Sequence, residues 1–164
     1  MSGLKSVIKR LVPVFTVGVM LTESVALAVD KDKAMYVGGT ISVLEEKSEG
    51  TISTRDEEAL LFTPKKKDRT EWRVKYDSIT SLEYGQKAGR RVAVGILVTP
   101  WALFSKKRKH YLTIAFRDDA GKEQAGVFEL GKDIVRTTLA VLEVKSGKDI
   151  EYQDDEARKS AKGN

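Results

Sequence analysis

The sequence predicts an α+β fold in which a curled antiparallel sheet or barrel of six or seven short strands is capped by one C-terminal amphipathic helix. Three observations favour this class. Apolar and polar residues alternate with a period of two in several short runs, as in strands that bury one face. Turn-forming residues separate the runs. Near the C-terminus the period changes once to that of a helix, which must bury its apolar stripe against the sheet.

The strands predicted in the first half of this fold begin at Gly50. Each is a short run with apolar residues at alternate positions or in a compact group. A charged turn at 64–68 divides them, because proline presets φ and lacks a backbone donor. The predicted strands are 50–54, 59–62, 72–76 and 79–84.

The second half of the predicted fold is a hairpin followed by the helix. Strands at 111–116 and 124–130 flank the turn residues 118–121. An apolar stripe from Ile134 to Leu142 then predicts a helix of about 14 residues, with Gly147 as its C-cap.

The first 28 residues are predicted to be a secretory signal peptide. Three cations precede the apolar run 11–21, and Ala26-Leu27-Ala28 puts small residues at both positions that signal peptidase reads. An uncleaved anchor or a buried N-terminal helix is the alternative. We expect an exported protein, periplasmic or secreted. The lack of cysteine suits such a compartment.

Two segments are placed outside the predicted domain, which spans 50–150. Residues 29–49 are interpreted as an irregular lead-in or a short strand that precedes the domain, because Gly38-Gly39 indicates a turn or a close backbone approach. Residues 151–164 are charged and contain few apolar residues other than alanine. We therefore expect them to form a disordered tail.

The most unusual stretch is 92–104, which contains no charged residue and has cations on both sides. It is too short to span a bilayer, which needs about 20 apolar residues as a helix. We interpret it as an insert that contacts a membrane surface, with the flanking cations meeting anionic lipid headgroups. The predicted contact residues are Arg90, Arg91, Ile96, Leu97, Trp101, Phe104, Lys106, Lys107, Arg108 and Lys109.

An alternative interpretation of 92–104 is a buried strand pair with its turn at Thr99-Pro100. Strands buried on both faces read as continuous apolar runs. In that case the protein would be a soluble periplasmic or secreted interaction domain with an unknown protein partner.

The order of these elements resembles the pleckstrin-homology-like (PH-like) superfold, in particular its bacterial and GRAM-type members. The resemblance rests on 76–84, on the strand 110–116 and on the strand and helix at 128–147, and it covers roughly residues 50–147. It implies a binding module, often for lipid headgroups or peptides. The insert 92–104 departs from that fold.

Several other chemistries are not favoured by the sequence. The basic run Lys65-Lys66-Lys67 is similar to a phosphoinositide-binding loop but reads more simply as a solvated turn. His110 is the single histidine, begins a strand beside cations that disfavour its protonation, and has no identifiable nucleophile or orienting carboxylate. The acidic pairs lack calcium-ligand spacing. We expect a protein without catalytic residues, metal, cofactor or nucleic-acid partner.

Overall fold

The computed structural model describes residues 33–66, 70–86 and 109–162. Over these ranges eight strands form one sheet, and two α-helices lie in the C-terminal third. Short 3-10 helices precede β5 and α1. The bounds are β1 (Lys33–Gly39), β2 (Ser48–Ser53), β3 (Ala59–Pro64), β4 (Trp72–Lys75), β5 (Ile79–Gly85), β6 (His110–Arg117), β7 (Glu123–Leu130), α1 (Val135–Ser146), β8 (Ile150–Tyr152) and α2 (Asp155–Lys162).

The strands follow one another across a curled sheet in the order β4-β3-β2-β1-β7-β6-β5-β8. Neighbours are antiparallel except β5 and β8, which are parallel. The predicted α+β class, with a curled sheet and a C-terminal helix, is confirmed. The expected six or seven antiparallel strands are replaced by eight in the described ranges, and the sheet is mixed.

The inner face of the curled sheet holds the main core. In β4, Trp72 and Val74 are buried and the alternating Arg73 and Lys75 are exposed, as a period of two requires. Phe128 of β7 lies at the centre, with its ring 5.3 Å from those of Phe62 and Trp72 and 5.4 Å from that of Tyr36. The β4 edge and the middle of the strand order therefore share one aromatic cluster.

Helix α1 buries its apolar stripe against this inner face. Its residues Val135, Leu139 and Leu142 belong to the main core cluster. The helix ends where the sequence predicts, because Gly147 adopts the left-handed conformation (φ 64°) that terminates helices. The ammonium of Lys145 donates to the carbonyls of Thr54 and Asp56, at 3.1 and 2.8 Å, and so fixes the helix to the β2–β3 connection.

The placement of 29–49 outside the domain is wrong for the described residues, because 33–39 form β1 in the middle of the sheet. The glycine pair directly follows a β-bulge between β1 and β7, where the register shifts between Tyr36 and Gly38. Gly39 has φ 146°, and a Cβ there would lie 2.3 Å from the carbonyl oxygen of Ala125. Glycine is needed for this close approach, which the sequence alone did not distinguish from a turn.

The expectation of a disordered tail is also wrong for residues 151–162. Ile150–Tyr152 pairs with β5 as β8, and α2 buries Ala157 and Ala161 against the core. The carboxylate of Asp154 accepts a hydrogen bond from the backbone N–H of Ala157 at 2.7 Å and caps the helix. The scattered alanines are the contact face, since small side chains allow a charged helix to approach closely.

Candidate functional site

One of the ten predicted membrane-contact residues, Lys109, lies within the described residues. The signal peptide 1–28, the apolar run 92–104 and the remaining nine contact residues lie outside them. Those nine are Arg90, Arg91, Ile96, Leu97, Trp101, Phe104, Lys106, Lys107 and Arg108. The described residues show where the connection 87–108 begins and ends on the sheet, and these two points bear on the prediction.

Both ends of that connection lie side by side. Strands β5 and β6 remain paired to the register position Gly85↔Tyr111. Gln86 and Lys109 therefore leave the sheet at the same place. We call residues 84–86 and 109–111 the root of the connection.

A chain of polar side chains ties the root to α2. The Gln86 side-chain amide donates to the Ser160 hydroxyl oxygen at 2.8 Å. That oxygen lies 3.3 Å from the Tyr84 hydroxyl, whose oxygen is 2.5 Å from Nδ1 of His110. With Nδ1 as the acceptor, donation runs in one direction from Gln86 through Ser160 and Tyr84 to His110, so each group is satisfied.

On the side of the root that contacts α2, the environment favours the neutral forms of the titratable side chains. Burial lowers the pKa of His110, and the charge of Lys132 lowers it further, while Glu129 acts in the opposite direction. Burial likewise raises the pKa of Tyr84. The lowered pKa of His110 agrees in direction with the expected disfavouring of its protonation, and burial is its largest cause among the described residues.

On the other side of the root lies an ion pair. The ammonium of Lys109 is 2.7 Å from a carboxylate oxygen of Glu129 on β7, and the two side chains are 31% and 23% exposed. The positive charge of Lys109 is therefore neutralised by a carboxylate of the same domain. The adjacent Tyr111 is buried, and burial raises its pKa, with a further contribution from the charge of Glu129.

In the basic turn after β3, the ion pairs are more exposed to solvent than the pair at the root. Lys65 and Lys66 lie 3.8 and 3.6 Å from carboxylates of Glu49 and Glu45, and all four side chains are about half exposed or more. Together with 43–49 and Pro64 they line an open cleft of about 470 Å³, which we call the cleft. Since the two described lysines face carboxylates, they do not form an unopposed phosphate site. Lys67 and Arg69 lie outside the described residues.

Sequence reasoning missed Tyr84, Gln86 and Ser160 as root residues. Tyr84 and Ser160 are 76 positions apart, and their contact depends on a helix that the charged composition of the tail concealed. A sequence signal for helix α2 did exist, because Ala157, Ser160 and Ala161 recur at helical spacing, but it does not indicate the contact with Tyr84.

No family model matches the chain, and a search of curated proteins finds no relative. Within the described ranges 33–66, 70–86 and 109–162, no cluster of three or more metal-ligating side chains occurs. Among the helices of the same ranges, none is long and apolar enough to cross a membrane.

Proposed function

We propose that this protein is an exported, non-catalytic PH-like binding module that associates with a membrane surface through the apolar stretch 92–104. The observation that carries the proposal is the root. Because the two ends of the connection lie side by side, a membrane contact made within it requires no crossing of the bilayer.

The packing of the inner core supports a location for 92–104 outside that core. The inner side of the root is occupied by α2, with Ser160 bonded to both Tyr84 and Gln86. Leu142 and Ala157 complete the same core and are fully buried. Native cores are close-packed, so a further thirteen apolar residues would need a separate environment.

The composition of the stretch fits an interfacial contact. Thirteen residues would reach only about 20 Å as a helix, against an apolar bilayer thickness of about 30 Å. Tryptophan and phenylalanine, here Trp101 and Phe104, suit the headgroup boundary. Each flanking cation adds about 1 kcal/mol of attraction to anionic lipid. Lys109 contributes less than the others because Glu129 neutralises it.

The second candidate function is a soluble interaction domain in which 92–104 is a buried strand pair. One observation favours it: β5 and β6 are still paired at Gly85↔Tyr111, as they would be at the base of a longer hairpin. Both candidates use the same root. They differ in whether the apolar residues meet lipid or protein.

Flotation of the purified mature chain with lipid vesicles separates the two candidates. We expect it to float with vesicles containing anionic lipid, less with neutral vesicles, and less at high salt. The double variant Leu97→Asp/Trp101→Asp should lose flotation. Its matched control is Val43→Asp/Val144→Asp, which puts two carboxylates at exposed apolar positions elsewhere (52% and 82% exposed). Flotation of the Leu97/Trp101 variant at the level of the unmodified chain would exclude the membrane proposal.

Export is tested separately. Expression of the full chain followed by N-terminal sequencing of the product should give a chain that begins at Val29. A product that retains Met1 or Ser2 would contradict the cleavage. The membrane-contact proposal would then need to be tested again with the N-terminal apolar run present.

A further inference from the structure

Helix α2 makes a small apolar contact with the rest of the domain. Its contribution to the main core consists of two alanines, Ala157 and Ala161, whose side chains bury little area. The same helix places Ser160 between the side chains of Tyr84 and Gln86 at the root. The hydrogen bonds of Ser160 therefore supply a large share of the attachment of α2 to the sheet.

The helical form of α2 depends on this attachment. The helix has eight residues, and isolated helices shorter than about 12–15 residues are marginal in water. A further contact, in which the exposed Arg158 lies 5.6 Å from the centre of the Tyr152 ring, joins the helix to β8. We therefore expect α2 to unfold when its contact with the root is lost.

The hydroxyl of Tyr84 connects Ser160 to His110. Its oxygen lies 2.5 Å from Nδ1 of His110 and 3.3 Å from Oγ of Ser160. A hydroxyl carries one hydrogen, so Tyr84 donates to one of these neighbours at a time. With a neutral ring, Nδ1 accepts from Tyr84, Tyr84 accepts from Ser160, and Ser160 accepts from Gln86. Each hydroxyl hydrogen then has an acceptor.

Protonation of His110 reverses the direction of this chain. Both ring nitrogens of a charged histidine are donors, so Nδ1 donates to Tyr84 and the hydroxyl of Tyr84 donates to Ser160. The oxygen of Ser160 already accepts from Gln86, and the hydroxyl hydrogen of Ser160 loses the acceptor it had. A partly buried donor without an acceptor is destabilising, and this donor belongs to α2.

We propose that protonation of His110 releases α2 from strands β5 and β6. The hydroxyl of Ser160 regains a hydrogen-bond partner in water when the helix leaves the root, and the released segment unfolds. Tyr84 and Gln86 are then uncovered at the place where the connection 87–108 begins. This pH-controlled release goes beyond the proposed function and does not rest on it.

The groups around the ring determine at which pH the release occurs. The titratable and charged groups that face it from neighbouring elements are Tyr84 of β5, Glu129 of β7, Lys132 of the 3-10 helix after β7 and, across the Tyr84 ring, Tyr152 of β8 with Arg158 of α2 over it. Burial lowers the pKa of His110 most, Lys132 lowers it further, and Glu129 opposes them. Glu129 is itself paired with Lys109. The docked state therefore resists the proton, and below the ordinary histidine pKa of about 6.5 protonation shifts the population towards released α2.

Hydrogen exchange on the full chain tests the release. The protection factor, which is the ratio of the intrinsic to the observed exchange rate, is measured by mass spectrometry for α1 and α2 between pH 7.5 and 5. We expect protection in α2 to fall by up to about tenfold per pH unit below pH 6.5, while protection in α1 falls less. Equal losses in the two helices would show that acid unfolds the whole domain and would overturn the proposal. Protection in α2 that does not change with pH would also overturn it.

Two variants assign the effect to the ring. His110→Gln keeps an acceptor oxygen and carries no charge, so protection in α2 should be equal at pH 7.5 and pH 5. Asp154→Asn is the matched control, because asparagine caps a helix as well as aspartate does but does not titrate. It should keep the full pH dependence. A dependence that persists in His110→Gln would overturn the proposal, and one that is lost in Asp154→Asn would assign the effect to the cap.

Nitrogen NMR of the ring needs no variant. His110 is the single histidine, so the imidazole signals of the untagged chain belong to it. We expect the neutral ring to carry its hydrogen on Nε2, and protection in α2 to stop falling at the pH where the ring is protonated. A hydrogen on Nδ1 of the neutral ring, or titration above the ordinary histidine value, would contradict the release. Neither measurement uses vesicles, so the proposed membrane contact and the release of α2 can fail independently.

Discussion

The root and the cleft hold polar side chains in opposite ways. At the root, Gln86, Ser160, Tyr84 and His110 form a directional chain of hydrogen bonds that is partly buried. In the cleft, lysines and glutamates form ion pairs that are open to solvent. Buried hydrogen bonds are costly to break because a partner is left unsatisfied, whereas exposed ion pairs are worth little. The difference implies that the root fixes where the connection 87–108 leaves the domain, while the cleft tolerates change.

The largest effect is expected in the main core, which supports the root. Leu142→Ala removes a fully buried side chain from α1 and should lower the free energy of unfolding by about 2–5 kcal/mol. Val43→Ala beside the cleft removes an apolar side chain that is 52% exposed and should change it by about 0.5 kcal/mol or less. Urea denaturation of both variants measures the contrast. Equal losses would mean that the two regions do not differ in packing.

The next effect concerns the polar chain itself. Tyr84→Phe removes the hydroxyl between Ser160 and His110 and should cost about 1–3 kcal/mol, because two partly buried partners lose a hydrogen bond. Ser160→Ala in a double-mutant cycle with Tyr84→Phe should show less than additive losses. Strict additivity, measured by denaturation, would show that the two hydroxyls do not act together.

The root also predicts a pH dependence. Because the pKa of His110 is lowered in the folded state, the unfolded chain binds its proton first as pH falls. The stability that the neutral ring provides is complete above the ordinary histidine pKa of about 6.5 and is lost as pH falls below that value. The expected loss of stability between pH 6.5 and 5 should be smaller in His110→Gln, as measured by denaturation at each pH. An identical pH profile in both proteins would contradict the environment described for this ring.

The smallest effect is expected at the cleft. Lys65→Ala and Lys66→Ala should each change the free energy of unfolding by about 0.5 kcal/mol or less, since each removes one exposed ion pair. Neither should alter flotation by as much as the loss of Leu97 and Trp101. If Lys65→Ala or Lys66→Ala abolished flotation, the lipid contact would lie at the β3–β4 turn and not in the insert.

Local patterns in the sequence predict much of the fold. The predictions fail where contacts between residues far apart in sequence determine the structure. The alternating strand at 72–76 and the helix that ends at Gly147 depend on periodicity and capping, which neighbouring residues determine. Strand β1 was placed outside the domain because Gly38-Gly39 indicated a turn, whereas both glycines pair with β7 directly after a bulge. Helix α2 was missed because its contact face is made of alanines.

The polar chain at the root could not be predicted at all from sequence. It joins β5, β6 and α2, and its hydrogen bonds connect residues 26, 74 and 76 positions apart. Neither periodicity nor composition relates such positions. The apolar run 92–104 shows the reverse situation. Its apolar character is plain from the sequence, while the described residues determine only where the connection 87–108 leaves and rejoins the sheet.

The central claim, that 92–104 meets lipid, is tested most directly by Trp101 itself. In the Trp72→Phe protein, where Trp101 is the single tryptophan, vesicles with brominated acyl chains quench tryptophan that enters the bilayer. Our account predicts a blue shift and quenching of Trp101 with anionic vesicles, and weaker effects with neutral ones. Emission from Trp101 that is unchanged by anionic brominated vesicles would contradict it.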